Sequence, residues 1–483
     1  MIAREQCRDE RGTAERLTAR FAVLWEEYRR LAEERAALES STAWAWAQRL
    51  SRWRRRLAPE GSWRQKALRL FLRGWRLRRC KEVDPPTPGE RQVLTLRCNE
   101  RGIGTLRCNE RRVLPPRSPA LNQFRIAYIG SQIALDAATM RYRAHNLIEA
   151  LAPLGGEGMF VSLEEVPAQL SAILAHDLIV LVRRICNDSL TTLIGLARRR
   201  GLPIVYDIDD YIFDPWVMPY VEAFQDPLGR AKVLGLMDDL GACLDRCDYF
   251  TGSTSYLAEK AAALGKKSFV IHNGLNSTQL ILSQSAREQR GGRQHDPWTR
   301  IGYFSGTRTH QADFRVVYPA LMRLLHEERH VRLVIVGHLD VGAFPGLAPF
   351  RDQIDLFPTC HWKELPAVIA GVDINLIPLE LTPFNEGKSN LKYYEAGLVE
   401  VPSVASPTRI FCESITHGHN GLLARTPEEW YDALHELIAR PDWRRQMGRN
   451  ALEHVLQNYT PEAIGTEAAA VYRHILDFHH SRC

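Results

Sequence analysis

From Phe124 onward the chain alternates between short runs that are apolar at nearly every position and longer stretches of helical period. FRIAYIG, GMFVS, DLIVLVR, PIVYDID, YFTGS and SFVIHNG form one series. RIGYFS, LVIVG, IDLFP, DINLIPL, PSVAS and GLLA form a second. Runs this uniformly apolar, closed by Gly, Ser, Asp or Pro, predict strands covered on both faces rather than strands with one wet side. Alternating strands and helices then imply parallel sheets, so the chain reads as α/β with two doubly wound domains, over residues 124–285 and 286–460. The polar run SQSAREQRGGRQHDPW is predicted to be an irregular interdomain loop, and residues 461–483 to be a final helix opened by Pro461. Trp362 and Trp430 read as core packing.

The first 123 residues follow other patterns. Leu17, Phe21, Leu24, Tyr28, Leu31 and Leu38 step by four, three, four, three and seven, a heptad seam within residues 1–39. Residues 17–38 are therefore candidates for homo-oligomerisation; the alternative is one amphipathic helix lying on its own catalytic body. In residues 40–83, Trp44, Trp46, Trp53, Trp63 and Trp75 are interleaved with arginines. Residues 84–123 are a proline-rich linker that repeats TLRCNER at Thr95–Arg101 and Thr105–Arg111. Two copies with sparse ligands point to a duplication tolerated in a linker rather than to a metal site.

Charge sharpens this division. The net +6 is the sum of unequal parts: residues 49–81 hold 13 Lys and Arg against the single acid Glu60, or +12, so the remainder carries 6 − 12 = −6. Tryptophans beside arginines suit an interfacial helix on anionic lipid, the expected partner of residues 40–83 in preference to nucleic acid. Ten cysteines without a CxxC pair argue against a zinc site or a disulfide framework. The opening MIAREQCRDERG lacks the apolar centre of a secretory signal, and no run approaches a membrane span. The expected location is cytoplasmic, peripheral at the inner face of the membrane.

The chemistry concentrates between Phe384 and Ser406, FNEGKSNLKYYEAGLVEVPSVAS. A polar loop there leads into a predicted helix, LKYYEAGLVE. Gly387 lets backbone approach a ligand, and Ser389 or Asn390 is expected to cap the helix. Lys388 adds a cation where free N–H groups already favour an anion. Glu395 lies one to two turns further in, placed to bridge vicinal hydroxyls. Lysine for phosphate and glutamate for ribose make half of a nucleotide-sugar site. The turn Gly306-Thr307, with Arg308 or His310 as an added donor, is a second diphosphate candidate. On the first domain, Gly130, Asp207 and Gly252 fall at strand ends, where open α/β sheets bind ligands, and Arg141 follows at the start of a helix.

The text KSNLKYYEAGLVEVPSVAS, with HGHNGLLA and EEWYDALHEL after it, resembles the carboxyl-terminal half of bacterial family 4 (group 1) glycosyltransferases. These have GT-B architecture, two Rossmann-like domains facing a cleft, and the resemblance spans roughly residues 124–475. HNGLNS resembles the linker closing the first domain, and the last helix usually crosses back to that domain. Many relatives carry two glutamates separated by seven residues. The second matches Glu395, whereas the first falls on Gly387, with Glu386 one residue too early.

The resemblance implies a glycosyltransferase (EC 2.4 class) in cell-surface polysaccharide synthesis. It would move sugar from a nucleotide diphosphate sugar to a glycan or lipid-linked acceptor, with retention and without metal or other cofactor. Lys388 and Glu386 are the catalytic candidates. Gly306, Thr307, Arg308, His310, Asn385, Gly387, Ser389, Asn390 and Glu395 would hold the donor. Gly130, Arg141, Asp207, Asp209 and Asp210 would lie on the acceptor side. Three readings of Asp207–Asp210 stay open: a metal clamp, a polar cleft wall meeting the acceptor, or turn and helix capping. The alternatives for the whole protein are a nucleotide-sugar epimerase and a catalytically silent scaffold subunit.

Overall fold

A computed structural model describes residues 123–132, 137–221, 227–290, 297–306 and 311–481. The heptad seam, the Trp/Arg segment and the duplicated linker lie outside the described residues, as do Thr307, Arg308 and His310.

Two six-stranded, wholly parallel sheets carry the described residues. The first has the order β2-β1-β3-β4-β5-β6, with β1 Phe124–Gly130, β2 Gly156–Ser162, β3 Leu178–Val182, β4 Ile204–Ile208, β5 Tyr249–Gly252 and β6 Lys267–Val270. The second has the order β12-β11-β10-β7-β8-β9, with β7 Thr299–Ser305, β8 Val331–Gly337, β9 Ile354–Phe357, β10 Ile374–Ile377, β11 Ser403–Ala405 and β12 Leu422–Leu423. Each order reverses direction beside its first strand, the place where such sheets open a crevice at their carboxyl edge. Strands β3 and β10 are buried at every position, as uniformly apolar runs require.

Two crossings join the halves. The first runs through His272–Asn276 into the helix Ser277–Arg290, so SQSAREQR is helical where an irregular loop was predicted. Tertiary packing accounts for the difference. Ala286 enters a second-domain cluster with Phe304 and Val399, and Arg287 and Arg290 donate to the carbonyls of Leu398 and Val399 at 2.8 and 3.2 Å. The second crossing is the helix Pro461–His480, whose Ile464, Ala468, Tyr472 and Ile475 complete the first-domain core around Ile126, Tyr128, Leu147 and Val180. Gly465 makes that approach possible, since a Cβ there would stand 2.3 Å from the carbonyl oxygen of Ala150. Trp430 is fully buried in the second-domain core. Trp362 is not core: it is half-buried, and the Arg141 guanidinium lies 4.7 Å from its ring centroid.

Candidate active site

The predicted helix forms over Leu391–Gly397, but neither expected side chain caps it. Asn390 takes the N-cap position while its amide donates to Ser414 Oγ and Tyr459 Oη, at 2.8 and 2.7 Å. Ser389 Oγ instead accepts from Asn273 of the first crossing at 3.2 Å. Local capping has yielded to bonds that fix the loop against its surroundings.

Lys392 and Glu395 share one face of this helix at three-residue spacing, and Lys388, in the loop before it, is near enough to act on the Lys392 charge. Lys388 Nζ donates to Asp210 Oδ1 of the first domain at 2.9 Å and lies 4.6 Å from the Phe384 ring centroid. The Lys392 ammonium lies 5.5 Å from the Tyr303 ring centroid. Desolvation lowers its pKa to about 8, and Lys388 adds to the fall while Asp313 and Glu395 resist it. Glu395 accepts from Tyr142 Oη at 2.7 Å, and burial raises its carboxyl above the ordinary range despite that bond and the nearby Arg141 and Lys392.

Tyr142 belongs to the first domain yet is buried among second-domain side chains including Leu379, Tyr393 and Tyr394. It sits with Arg141 in a π-helical turn, Arg141–His145, between the helices Ala137–Met140 and Asn146–Leu151. Such turns re-aim side chains and gather at functional sites. Arg141 projects toward Trp362, and its buried Nε has no partner among the described residues. Trp362, Glu395, Gln279 and Ser283 line a small cavity of about 10 Å³, room for no more than a water molecule.

The acidic run Asp207–Asp210 divides. Asp207 does not face the cleft: it is fully buried, paired with Arg143 at 2.6 and 2.8 Å, and accepts from Thr251 at 2.6 Å. Arg143 also donates to the Ile271 carbonyl and to Asn273, so Asp207 anchors the crossing rather than meeting an acceptor. Asp209 accepts from Thr139 at 3.1 Å and stands 3.8 Å from Arg183. Desolvation and then the neighbouring Asp210 push its pKa up to about 6. Asp210 lies between Arg183, at 3.3 Å, and Lys388. Arg183 holds a φ of 50°, a left-handed backbone that a non-glycine residue adopts at a cost of order 1 kcal/mol and that concentrates at functional sites. No group of three or more His, Cys, Asp or Glu among the described residues is placed to hold a metal ion.

Other expected site residues serve packing. Gly387 is buried against the first domain, where a Cβ would meet that of Tyr211 at 2.8 Å, so its smallness serves the interdomain seam. A Cβ on Gly130 would strike Met140 and Phe160. Asn385 is buried and donates to Asp313 at 2.8 Å. Glu386 accepts from the Arg409 backbone N–H at 2.8 Å and lies near Tyr256 of the first domain. Gly306 stands exposed at the end of β7 with open space where a Cβ would point.

Residues 299–440, which hold β7 to β12 with Lys388, Lys392 and Glu395, match the model of the family described as "Glycosyl transferases group 1". The match to group 1 glycosyltransferases covers most of the second domain. Among solved structures, HepE from Anabaena in complex with UDP is similar over 72% of this chain and 99% of its own, at 15% identity and a TM-score of 0.50. Sucrose-phosphate synthase from Thermosynechococcus elongatus is similar over 74% of this chain and 100% of its own, at 16% identity and a TM-score of 0.49. No curated protein matches the sequence. The two sheets are thus those of the GT-B fold, and the helix Leu391–Gly397 follows the loop whose Lys388 meets Asp210 of the other domain.

Sequence reasoning singled out Lys388 and Glu395 but missed Lys392, Tyr142 and Arg183. The signal for Lys392 was present: it is four residues after Lys388 and three before Glu395. Tyr142 and Arg183 act across the domains or through backbone strain, which no local pattern announces.

Proposed function

We propose that the protein transfers a glycosyl group from a nucleotide diphosphate sugar to a glycan or lipid-linked acceptor, with retention of configuration, in cell-surface polysaccharide synthesis. The gathering of Lys388, Lys392 and Glu395 within the segment that matches the glycosyltransferase family carries this reading. As the bond from the anomeric carbon to the β-phosphate oxygen breaks, negative charge collects on the leaving diphosphate. Fixed cations in a partly desolvated cleft stabilise that charge more in the transition state than in the ground state. Lys388 and Lys392 take this role. Glu395, steered by Tyr142, receives the ribose hydroxyls, and Arg141 supplies a donor from the facing domain. No metal is required, because the two ammonium groups provide the countercharge.

The acceptor enters over the first domain, past Asp209 and Asp210. Residues 40–83 hold the protein on anionic membrane, which brings lipid-linked acceptors within reach, and residues 17–38 pair copies of the chain. Liposome co-sedimentation tests the first: binding must need anionic lipid, weaken with salt and vanish on deletion of the segment. Sedimentation of Leu24→Asp/Leu31→Asp against wild type tests the second.

Nucleotide diphosphate release, measured over a panel of sugar nucleotides beginning with UDP-sugars because HepE was crystallised with UDP, tests the central reading. Transfer requires release of diphosphate together with a new glycoside whose anomeric proton NMR signal reports retention. An epimerised sugar nucleotide marks an epimerase, and silence with every donor marks a scaffold.

A further inference from the structure

Trp216 is 56% exposed and Tyr220 41%, in a protein whose Trp430 is fully buried. Their ring centroids are 5.6 Å apart with the planes tilted by 49°, which makes a shallow V. Both project from the 3₁₀ turn Pro215–Tyr220, whose other side is anchored. Val217 and Met218 are buried, and Asp214 accepts from the Trp216 N–H at 2.9 Å and from Tyr211 Oη at 3.1 Å. Pro215 and Pro219 restrict the backbone further. Exposed aromatic rings on a rigid turn gain nothing from the fold and are preorganised for a ligand.

The turn's position narrows the ligand. It packs on the helix Pro383–Glu386, directly before Gly387 and Lys388. Tyr211, at the start of this loop, is the residue against which Gly387 is seated. Tyr220 is near enough to Tyr256 to help raise its phenol pKa, as Glu386 does more strongly from the donor loop, both behind the dominant effect of burial. The pair therefore flanks the seam where Asp210 meets Lys388. A pyranose has a face of C–H bonds and a rim of hydroxyls; the flat rings accept the first, and carboxylates such as Asp209 and Asp210 accept the second. Asp209, Asp210 and Asp214 lie on this loop with Glu386 opposite, countered by Arg183 and Lys388 at Asp210 and by Lys260 and Arg409 at Tyr256, so the described residues around the turn offer no surplus of cations to an anionic lipid surface.

We propose that Trp216 and Tyr220 form the platform on which a pyranose of the glycan acceptor stacks as it enters the cleft. The proposal rests on the transferase reading and adds the chemical class of acceptor and the residues that select it.

The test uses full-length protein with UDP and malto-, cello-, manno- and chito-oligosaccharides as probes, followed by saturation-transfer NMR. Wild type should bind at least one probe. Trp216→Ala and Tyr220→Ala should each weaken it roughly tenfold, and Trp216→Phe should keep it within about threefold, because a ring face remains. The thermal shift caused by UDP, read on the same samples, must stay equal in all variants; this separates a lost platform from a damaged fold. Unchanged oligosaccharide affinity in both alanine variants overturns the proposal. So does failure of every probe to bind wild type, or a loss in Trp216→Ala of vesicle binding in place of saccharide binding. Absence of any UDP shift in wild type strikes the transferase reading instead, and leaves the platform to be judged by the oligosaccharides alone.

Discussion

Lys388 of the second domain and Asp210 of the first meet across the cleft, ammonium to carboxylate, at 2.9 Å. Both side chains are about one-quarter exposed, so the pair contributes little to stability, on the order of 0–1 kcal/mol. Its meaning lies in position: a cation suited to a diphosphate is held ready by a carboxylate from the facing domain. Lys388→Ala should lower kcat by about 10²–10³, the scale of losing a preorganised donor to a developing anion, with a smaller change in donor KM. Asp210→Asn should cost less than about tenfold. Equal losses in the two variants would show that the pair only fastens the domains together.

Glu395 should act through binding. The ribose is unchanged during reaction, so Glu395→Gln is expected to raise donor KM while kcat moves little. Because burial raises this carboxyl, donor affinity should weaken with falling pH sooner than an ordinary glutamate would allow. Tyr142→Phe, which removes the 2.7 Å bond, should raise KM in the same direction by a smaller factor.

Lys392 sets the alkaline limb. Its folded pKa is depressed to about 8, so it is charged below that value and neutral above it. If its charge serves the leaving group, kcat should fall as pH rises through about 8, and Lys392→Arg should carry activity to higher pH. The stability effect has the opposite sign. The unfolded chain binds the extra proton between pH 8 and the normal lysine range near ~10.4, so this residue makes the fold more stable as pH rises through that window. A kcat profile of Lys392→Met that still breaks near pH 8 would refute the assignment.

Asp207 should matter to folding rather than to chemistry. Asp207→Ala leaves Arg143 charged and buried without its partner, a change that typically costs 3–5 kcal/mol. Urea denaturation should register that loss. Donor affinity of the folded fraction should fall too, because Arg143 holds Asn273 and Asn273 holds Ser389.

Glu386→Ala should be mild. The carboxylate supports the Arg409 N–H, and its removal is expected to cost about 1 kcal/mol of stability and less than a tenfold loss of kcat. A loss as large as that of Lys388→Ala would mean that Glu386 reaches the donor sugar during turnover.

The strands were legible because each is a continuous apolar run with turn residues at its end, a local property. FRIAYIG and DINLIPL announce β1 and β10 without help from the rest of the chain. Residues 283–290 were not legible, since SQSAREQR becomes helical through bonds to Leu398 and Val399, more than 100 residues away. Within the site, the Lys388 to Glu395 stretch was readable as chemistry, but its partners Asp210, Tyr142 and Asn273 come from the other domain. Asp207 looked like a cleft residue because it ends a strand; only the inward reach of Arg143 from a π-helical turn shows its carboxylate already taken. Gly387 looked like a place for a ligand and is a place for Tyr211.

The last helix has a consequence for synthesis on the ribosome. Tyr472 meets Tyr128 hydroxyl to hydroxyl, and Ile464, Ala468 and Ile475 cover one side of the first sheet. When β6 emerges, that side is covered only in part, by the helix Asn146–Leu151, and residues 271–460 must still be made before the rest of its lid exists. At 5–20 residues per second this wait is roughly ten to forty seconds, during which an apolar sheet face is open to chaperones or to other nascent chains. Truncation before Pro461 would make the exposure permanent, so the far end of the chain decides whether its first domain stays soluble.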